Sequence, residues 1–412
     1  MQNPNGGNGA GLPAANEEPE KLAVCLCGGG LTGAFYEVGV LRALDEYLGP
    51  GSVRSLFDVW VGTSAGASVA GFLSQGVSPE RLFQAMNNLD DPFFPFRRAD
   101  VFRPDLKRWG VAAMKAAGYY FFGVLANALR MPGTPPIDWG RMVERQLPGG
   151  MFSLDAYRAS YEKSLKRNGL AQSFLDLGRD LVIPALELET GERWAFAKGG
   201  ELETTPIALA VAASSAIPGF FDPVRIRDRN FIDGGSGQVA HVDLAVERGA
   251  KSIVVINPMV PVQLNRPHQT LMDSTEQIDS IAGRGPIKVW AQALRISTAN
   301  KLRMALKRYT VERPDLKVFL IEPPLDDATM FLFSNMDESS RHTVLAHGYN
   351  TTRRALEETG EGLRQLVAGA RHRWEPKKGP SGPPGPKEGE FHILCGEDEC
   401  PPEGPPLVGT GW

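Results

Sequence analysis

Leu56-Phe-Asp-Val-Trp-Val-Gly-Thr-Ser-Ala-Gly66 is the stretch on which the fold of this chain turns. The apolar run 56–61 predicts a buried strand, and Gly62-Thr63-Ser64-Ala65-Gly66 follows it without a spacer. Small and apolar residues then continue over 67–74, as a buried helix requires. A G-x-S-x-G is weak evidence alone, because glycine and serine are common in turns. Between a strand and a helix it becomes a sharp elbow whose small neighbours let the chain double back. The Ser64 hydroxyl would then stand at a helix N-terminus as a candidate nucleophile.

A second strand-to-helix junction precedes it. Lys21-Leu-Ala-Val-Cys-Leu-Cys27 is a continuous apolar run, as in a parallel strand buried on both faces, and it enters Gly28-Gly-Gly-Leu-Thr-Gly33. Phe35, Val38, Leu41, Leu44 and Leu48 then recur at helical spacing until Gly49-Pro50 stops the helix. These glycines suit an oxyanion hole, where backbone N–H groups approach developing negative charge. The competing phosphate-loop interpretation lacks both a Gly-Lys-Ser/Thr ending and G-x-G-x-x-G spacing. Asp233-Gly234-Gly235 follows the short strand Phe231-Ile232. Alone it is a turn; paired with the other two motifs it offers a carboxylate able to take the Ser64 proton if burial raises its pKa. Further strands are predicted at 181–186, 253–256 and 318–321, with helices between several of them. The expected architecture is a three-layer α/β/α with a mainly parallel central sheet.

Composition bounds the remaining possibilities. The chain has 412 residues, 42% hydrophobic and 22% charged, which argues against global disorder and against a multi-span membrane protein. Lys+Arg 44 against Asp+Glu 48 gives −4, with no general attraction to nucleic acid. Cys25 and Cys27 alternate on one strand and are not placed to bridge; Cys395 and Cys400 fall short of a four-ligand zinc site. No apolar leader opens the chain, which suggests a cytoplasmic protein or one peripheral to a membrane. The expected organisation is a flexible lead over 1–19, one domain over 20–372, and a disordered Pro/Gly-rich tail over 373–412. Within the domain, 261–372 is expected to be mostly helical. Residues 90–150 combine Phe93, Phe94, Phe96 and Phe102 with Arg97, Arg98, Arg103, Lys107 and Arg108, then a long apolar stretch over 111–129. That segment fits either an ordinary buried helix pair or a lid that docks at a lipid interface.

Taken in order, Gly28–Gly33, Gly62–Gly66, Ala213-Ser-Ser-Ala-Ile-Pro-Gly-Phe-Phe221 and Asp233–Gly235 resemble the patatin-like phospholipase family. Leu320-Ile-Glu-Pro323 and the Gly348-Tyr-Asn-Thr-Thr-Arg-Arg354 helix resemble the end of its bacterial members, so the likeness covers roughly residues 21–368. The resemblance implies a lipid acyl hydrolase with a Ser–Asp dyad: Ser64 as nucleophile and Asp233 as base. Gly28, Gly29, Gly30 and Ala65 would hold the oxyanion, and Gly33, Gly62, Gly66, Gly234 and Gly235 would shape the motifs. It implies no metal and no organic cofactor, a phospholipid or other acyl-ester substrate, and peripheral membrane contact. Two departures stand out. Thr32 occupies a position where the family usually has Arg or Lys, and His241 falls where it usually has proline after Asp-Gly-Gly. Three alternatives stay open: an acyltransferase, a Ser-His-Asp esterase using a late histidine such as His268, His342 or His347, and a membrane-surface protein without turnover. Oligomeric state has no sequence signature.

Overall fold

A computed structural model describes residues 20–88, 90–91, 93, 106–129, 144–238, 240–264, 280–324, 329–332 and 336–368. The expectations for 1–19, for Phe94, Phe96, Phe102 and their neighbouring arginines, for His268, and for Cys395, Cys400 and the tail 373–412 lie outside these residues. The strands are β1 (Lys21–Leu26), β2 (Val59–Gly62), β3 (Gly150–Phe152), β4 (Asp180–Glu187), β5 (Arg193–Phe196), β6 (Gly219–Phe221), β7 (Val224–Ile226), β8 (Arg229–Asp233), β9 (Ala250–Ile256) and β10 (Lys317–Ile321). The helices that matter below are α1 (Gly30–Leu48), α2 (Ala65–Leu73), α3 (Pro79–Asn87), α4 (Leu106–Ala128), α5 (Asp155–Arg167), α6 (Ile207–Ser214), α7 (Val242–Glu247), α8 (Pro286–Glu312) and α9 (Arg341–Thr359).

Eight of these strands form one sheet in the order β10-β9-β1-β2-β4-β8-β7, with β5 also paired to β4. From β10 to β4 the strands run parallel, and β5, β7 and β8 join antiparallel. β1 sits in the middle, and its period-two alternation feeds two cores. Leu22, Val24 and Leu26 point to a face covered by α1, α2, α6 and α9, including Leu41, Phe72, Val211 and Leu345. Ala23, Cys25 and Cys27 point to the other face, against Leu244 of α7 and Leu302 of α8. Both cysteines are free thiols, and burial pushes both thiols up. The molecule is therefore an α/β sandwich with helices on both sides of a mostly parallel sheet, as the alternating strand and helix pattern predicts.

The antiparallel edge escaped the sequence reading because β5 and β7 are four and three residues long and only half-buried. Residues 111–129 also depart from the buried-helix expectation. Of α4's side chains, Ala112 is buried, whereas Met114, Tyr120, Phe121 and Phe122 are each 66–71% exposed. Trp109 ties the start of this helix to the Met151 carbonyl at 3.2 Å. Among the described residues, no helix is long and apolar enough to cross a membrane.

Candidate active site

Parallel strands bring their C-terminal ends to one edge of a sheet, where the loops diverge and leave a crevice. Leu26 pairs with Gly62 and with Ile256 in register, so the loops after β1, β2 and β9 leave at the same level. Gly28, Gly29 and Gly30 follow β1 with φ of 77°, 113° and 71°, a left-handed run that only glycine adopts without strain. A Cβ on Gly28 would lie 2.4 Å from the Thr63 carbonyl oxygen and 3.0 Å from the Ser64 Cβ. The glycine loop thus presses directly against the serine turn.

Ser64 occupies the N-cap of α2 with φ 56° and ψ −126°, a conformation that costs a non-glycine residue about 1–3 kcal/mol. Long-range hydrogen bonds hold this strained turn. The Ser64 N–H donates to Ser214 Oγ at 2.9 Å, and that hydroxyl donates to the Pro184 carbonyl at 2.6 Å. Ser214 ends α6 in the Ala213–Phe221 motif, and no sequence spacing announces its partnership with Ser64. The turn also needs its glycines: a Cβ on Gly62 would meet Gly66 O at 2.6 Å.

β8, paired antiparallel to β4, delivers Asp233 opposite Ala185. Its Oδ1 accepts the Gly235 N–H at 2.7 Å, and the Ser64 side chain is near enough to favour the ionised carboxylate. Both Ser64 and Asp233 are 6% exposed. Desolvation pushes the Asp233 pKa up to about 6, and Ser64 and the Gly235 N–H only partly oppose it. A carboxylate in that range can take a hydroxyl proton near neutral pH and return it.

Ser64 lines a cleft, with Gly30 and Ala65 beside it. Its remaining wall is apolar, with Leu31, Phe35, Leu154, Ile217, Phe221 and Met336 prominent. The first N–H groups of α1 and α2 have no intrahelical carbonyl to bond, which leaves those of Gly30 and Ala65 as donors at this end. Gly28 departs from the expectation placed on it. Its N–H already donates to Glu37 Oε1 at 2.7 Å inside the core, so it is not open to a substrate oxygen.

Thr32, at the usual cation position, is buried in the first turn of α1. His241 is fully buried behind the Asp233 loop and faces the Gly234 backbone. Arg193 approaches its Nδ1 at 3.3 Å and pairs with Asp243 at 2.5 Å. Burial first, and the Arg193 charge second, lower the His241 pKa to about 4. It therefore stays neutral wherever Asp233 is ionised. The later histidines lie elsewhere: His342 hydrogen-bonds Asn87 at 2.5 Å, and His347 packs on Tyr36 with ring centroids 6.1 Å apart. Among the described residues, no cluster of three His, Cys, Asp or Glu side chains is arranged to hold a metal ion.

An elbow serine facing a buried aspartate at the edge of a mostly parallel sheet is an arrangement suited to acyl transfer. The sequence profile of the patatin-like phospholipases matches residues 24–245, more than half of the chain and all three motifs. The chain belongs to the patatin-like phospholipase family, a family of lipid ester hydrolases. No curated protein sequence matches it. Among solved structures it is similar to VipD from Legionella pneumophila, with 15% identity over 83% of this chain and 67% of that one, at a TM-score of 0.36. It is also similar to ExoU of the Pseudomonas aeruginosa type III secretion system, solved with SpcU, with 13% identity over 86% and 54% and a TM-score of 0.33. Human GIVD cytosolic phospholipase A2, solved with methyl gamma-linolenyl fluorophosphonate, gives 11% identity over 85% and 60% and a TM-score of 0.36. The chain thus spans little more than half the length of two of these three proteins.

Proposed function

We propose that this chain hydrolyses carboxylic esters of lipids through an acyl-serine intermediate, with Ser64 as nucleophile and Asp233 as base. The observation that carries this is the buried Asp233 carboxyl beside Ser64, the serine itself lining an apolar cleft. Ser64 Oγ attacks the ester carbonyl as its proton passes to the Asp233 carboxylate. The oxyanion of the tetrahedral intermediate is held by the N–H groups of Gly29, Gly30 and Ala65. Collapse releases the alcohol, which leaves with the proton from Asp233. Water then attacks the acyl-serine as its proton passes to Asp233, and collapse frees the fatty acid while Ser64 Oγ takes that proton back. The apolar wall supports an acyl chain as the group bound beside Ser64, since such a chain gains from leaving water. The exposed aromatic face of α4 supports contact with a lipid surface, where amphipathic aromatic residues settle at the acyl boundary.

A fluorophosphonate probe, followed by a lipid panel with mass-spectrometric product analysis, tests this. Wild type is expected to label and to release free fatty acid, and Ser64→Ala to do neither. Fatty acid release by folded Ser64→Ala at the wild-type rate would remove the proposal. Transfer of the acyl group to an added alcohol without any free acid would replace hydrolysis by acyl transfer.

A further inference from the structure

Glu37 lies in the middle of α1, between Tyr36 and Val38, in a stretch where every neighbour is buried. A carboxyl at 0% exposure in an apolar helix is costly unless its atoms are used. One of them is. Oε1 accepts the Gly28 N–H at 2.7 Å. Oε2 is buried with no hydrogen-bond partner among the described residues. Desolvation holds the Glu37 pKa well above the usual carboxylate range, so the group sits in the core as a neutral acid.

The consequence is geometric. Gly28, Gly29 and Gly30 all turn through positive φ, and Gly28 touches both Thr63 and Ser64. Three flexible glycines in a row have no intrinsic preference for which N–H groups face the serine. Drawing the first N–H into the core fixes the rotation of the loop and commits the following ones to the cleft. We infer that Glu37 is a positioning residue for the oxyanion loop: by capturing the Gly28 N–H from behind, it aims the Gly29 and Gly30 N–H groups at the carbonyl carried by Ser64. This rests on the acyl-serine proposal above and adds to it a residue that never touches substrate.

Three substitutions separate positioning from mere folding. Glu37→Gln keeps an acceptor oxygen in a neutral side chain of the same length and is expected to retain kcat within about twofold. Glu37→Met fills the space without an acceptor. Glu37→Asp keeps the acid but withdraws it by one methylene, and it serves if the methionine variant does not fold. Both are expected to lower kcat on a soluble ester by at least about 30-fold, with KM within about twofold, since removing one oxyanion donor typically costs about 10²–10³. Each is checked for a wild-type circular dichroism spectrum and cooperative melt. Full kcat in a folded methionine or aspartate variant overturns the inference. So does a rise in KM alone, or a glutamine variant as slow as the methionine one. Ser64→Ala runs alongside: if it retains activity, the acyl-serine proposal falls, whereas its silence beside fully active Glu37 variants removes only the role of Glu37.

Discussion

Asp233 connects catalysis and stability, because the burial that suits it as a base also opposes its ionisation. Its pKa rises from 3.8 to about 6, chiefly by desolvation. Between those two values the folded chain keeps a proton that the unfolded chain has lost. By linkage, stability therefore falls as pH rises through that window and levels off above it. At about 1.4 kcal/mol per pKa unit the interval corresponds to roughly 3 kcal/mol at neutral pH. Asp233→Asn cannot ionise, yet its Oδ1 still accepts from the Gly235 N–H. It is expected to match wild type near pH 4 and to exceed it by up to about 3 kcal/mol at pH 7.5, while ester turnover is lost. Urea denaturation of both proteins at pH 4, 5, 6 and 7.5 reads the difference directly. An asparagine variant less stable than wild type at pH 7.5 would refute the reasoning, as would a stability gap that does not change between pH 4 and 6.

Further outcomes follow from the same geometry. The acid limb of kcat/KM is expected near pH 6 and to persist in His241→Gln, because the His241 pKa is lowered to about 4 while that of Asp233 is raised to about 6. For His241 the sign is opposite to that of Asp233: its contribution to stability is full above the unfolded value of 6.5 and is lost as pH falls toward 4. Gly62→Ala drives a methyl to 2.6 Å from Gly66 O and is expected to lower stability by about 2 kcal/mol, measured by denaturant unfolding. Ser214→Ala leaves the Ser64 N–H without its partner and should cost about 1–2 kcal/mol together with most fluorophosphonate labelling. Replacing Tyr120, Phe121 and Phe122 of α4 by serine is expected to weaken sedimentation with anionic vesicles while sparing turnover of a soluble ester and the melting temperature.

The sheet was legible because parallel strands buried on both faces are written as unbroken apolar runs, as in most of β1, in β2 and in residues 253–256 of β9. The three glycine motifs were legible for a different reason. At Gly28 and Gly62 a neighbouring backbone comes so close that any side chain would collide, so the geometry restricts the residue type and leaves a local signature. What stayed hidden depends on pairing across the chain. Ser214 is 150 residues from the N–H it accepts, and Arg193 is 48 residues from His241. Their partnership exists only once β4, β8 and α6 are stacked together. Glu37 is the instructive case, since it is close in sequence to Gly28. An acid inside an apolar helix resembles a solvent-facing residue until the helix is found buried all round. The signal was present, but as an exception to the hydrophobic pattern instead of a motif.

These hidden residues share a position relative to the chemistry. Glu37 takes the Gly28 N–H, Ser214 takes the Ser64 N–H, and His241 faces the Gly234 backbone with its own charge suppressed by burial and then by Arg193. Each is buried against the backbone of one of the three loops that meet near Ser64, and none lines the cleft. Loops rich in glycine gain close backbone approach at the expense of conformational freedom, and Ser64 adds about 1–3 kcal/mol of backbone strain. Buried polar anchors are an economical answer, because a hydrogen bond to a single backbone group fixes a rotation without filling the cleft. On the acyl-serine proposal, they leave the cleft wall free for an acyl chain, because the polar groups that hold these loops lie in the core.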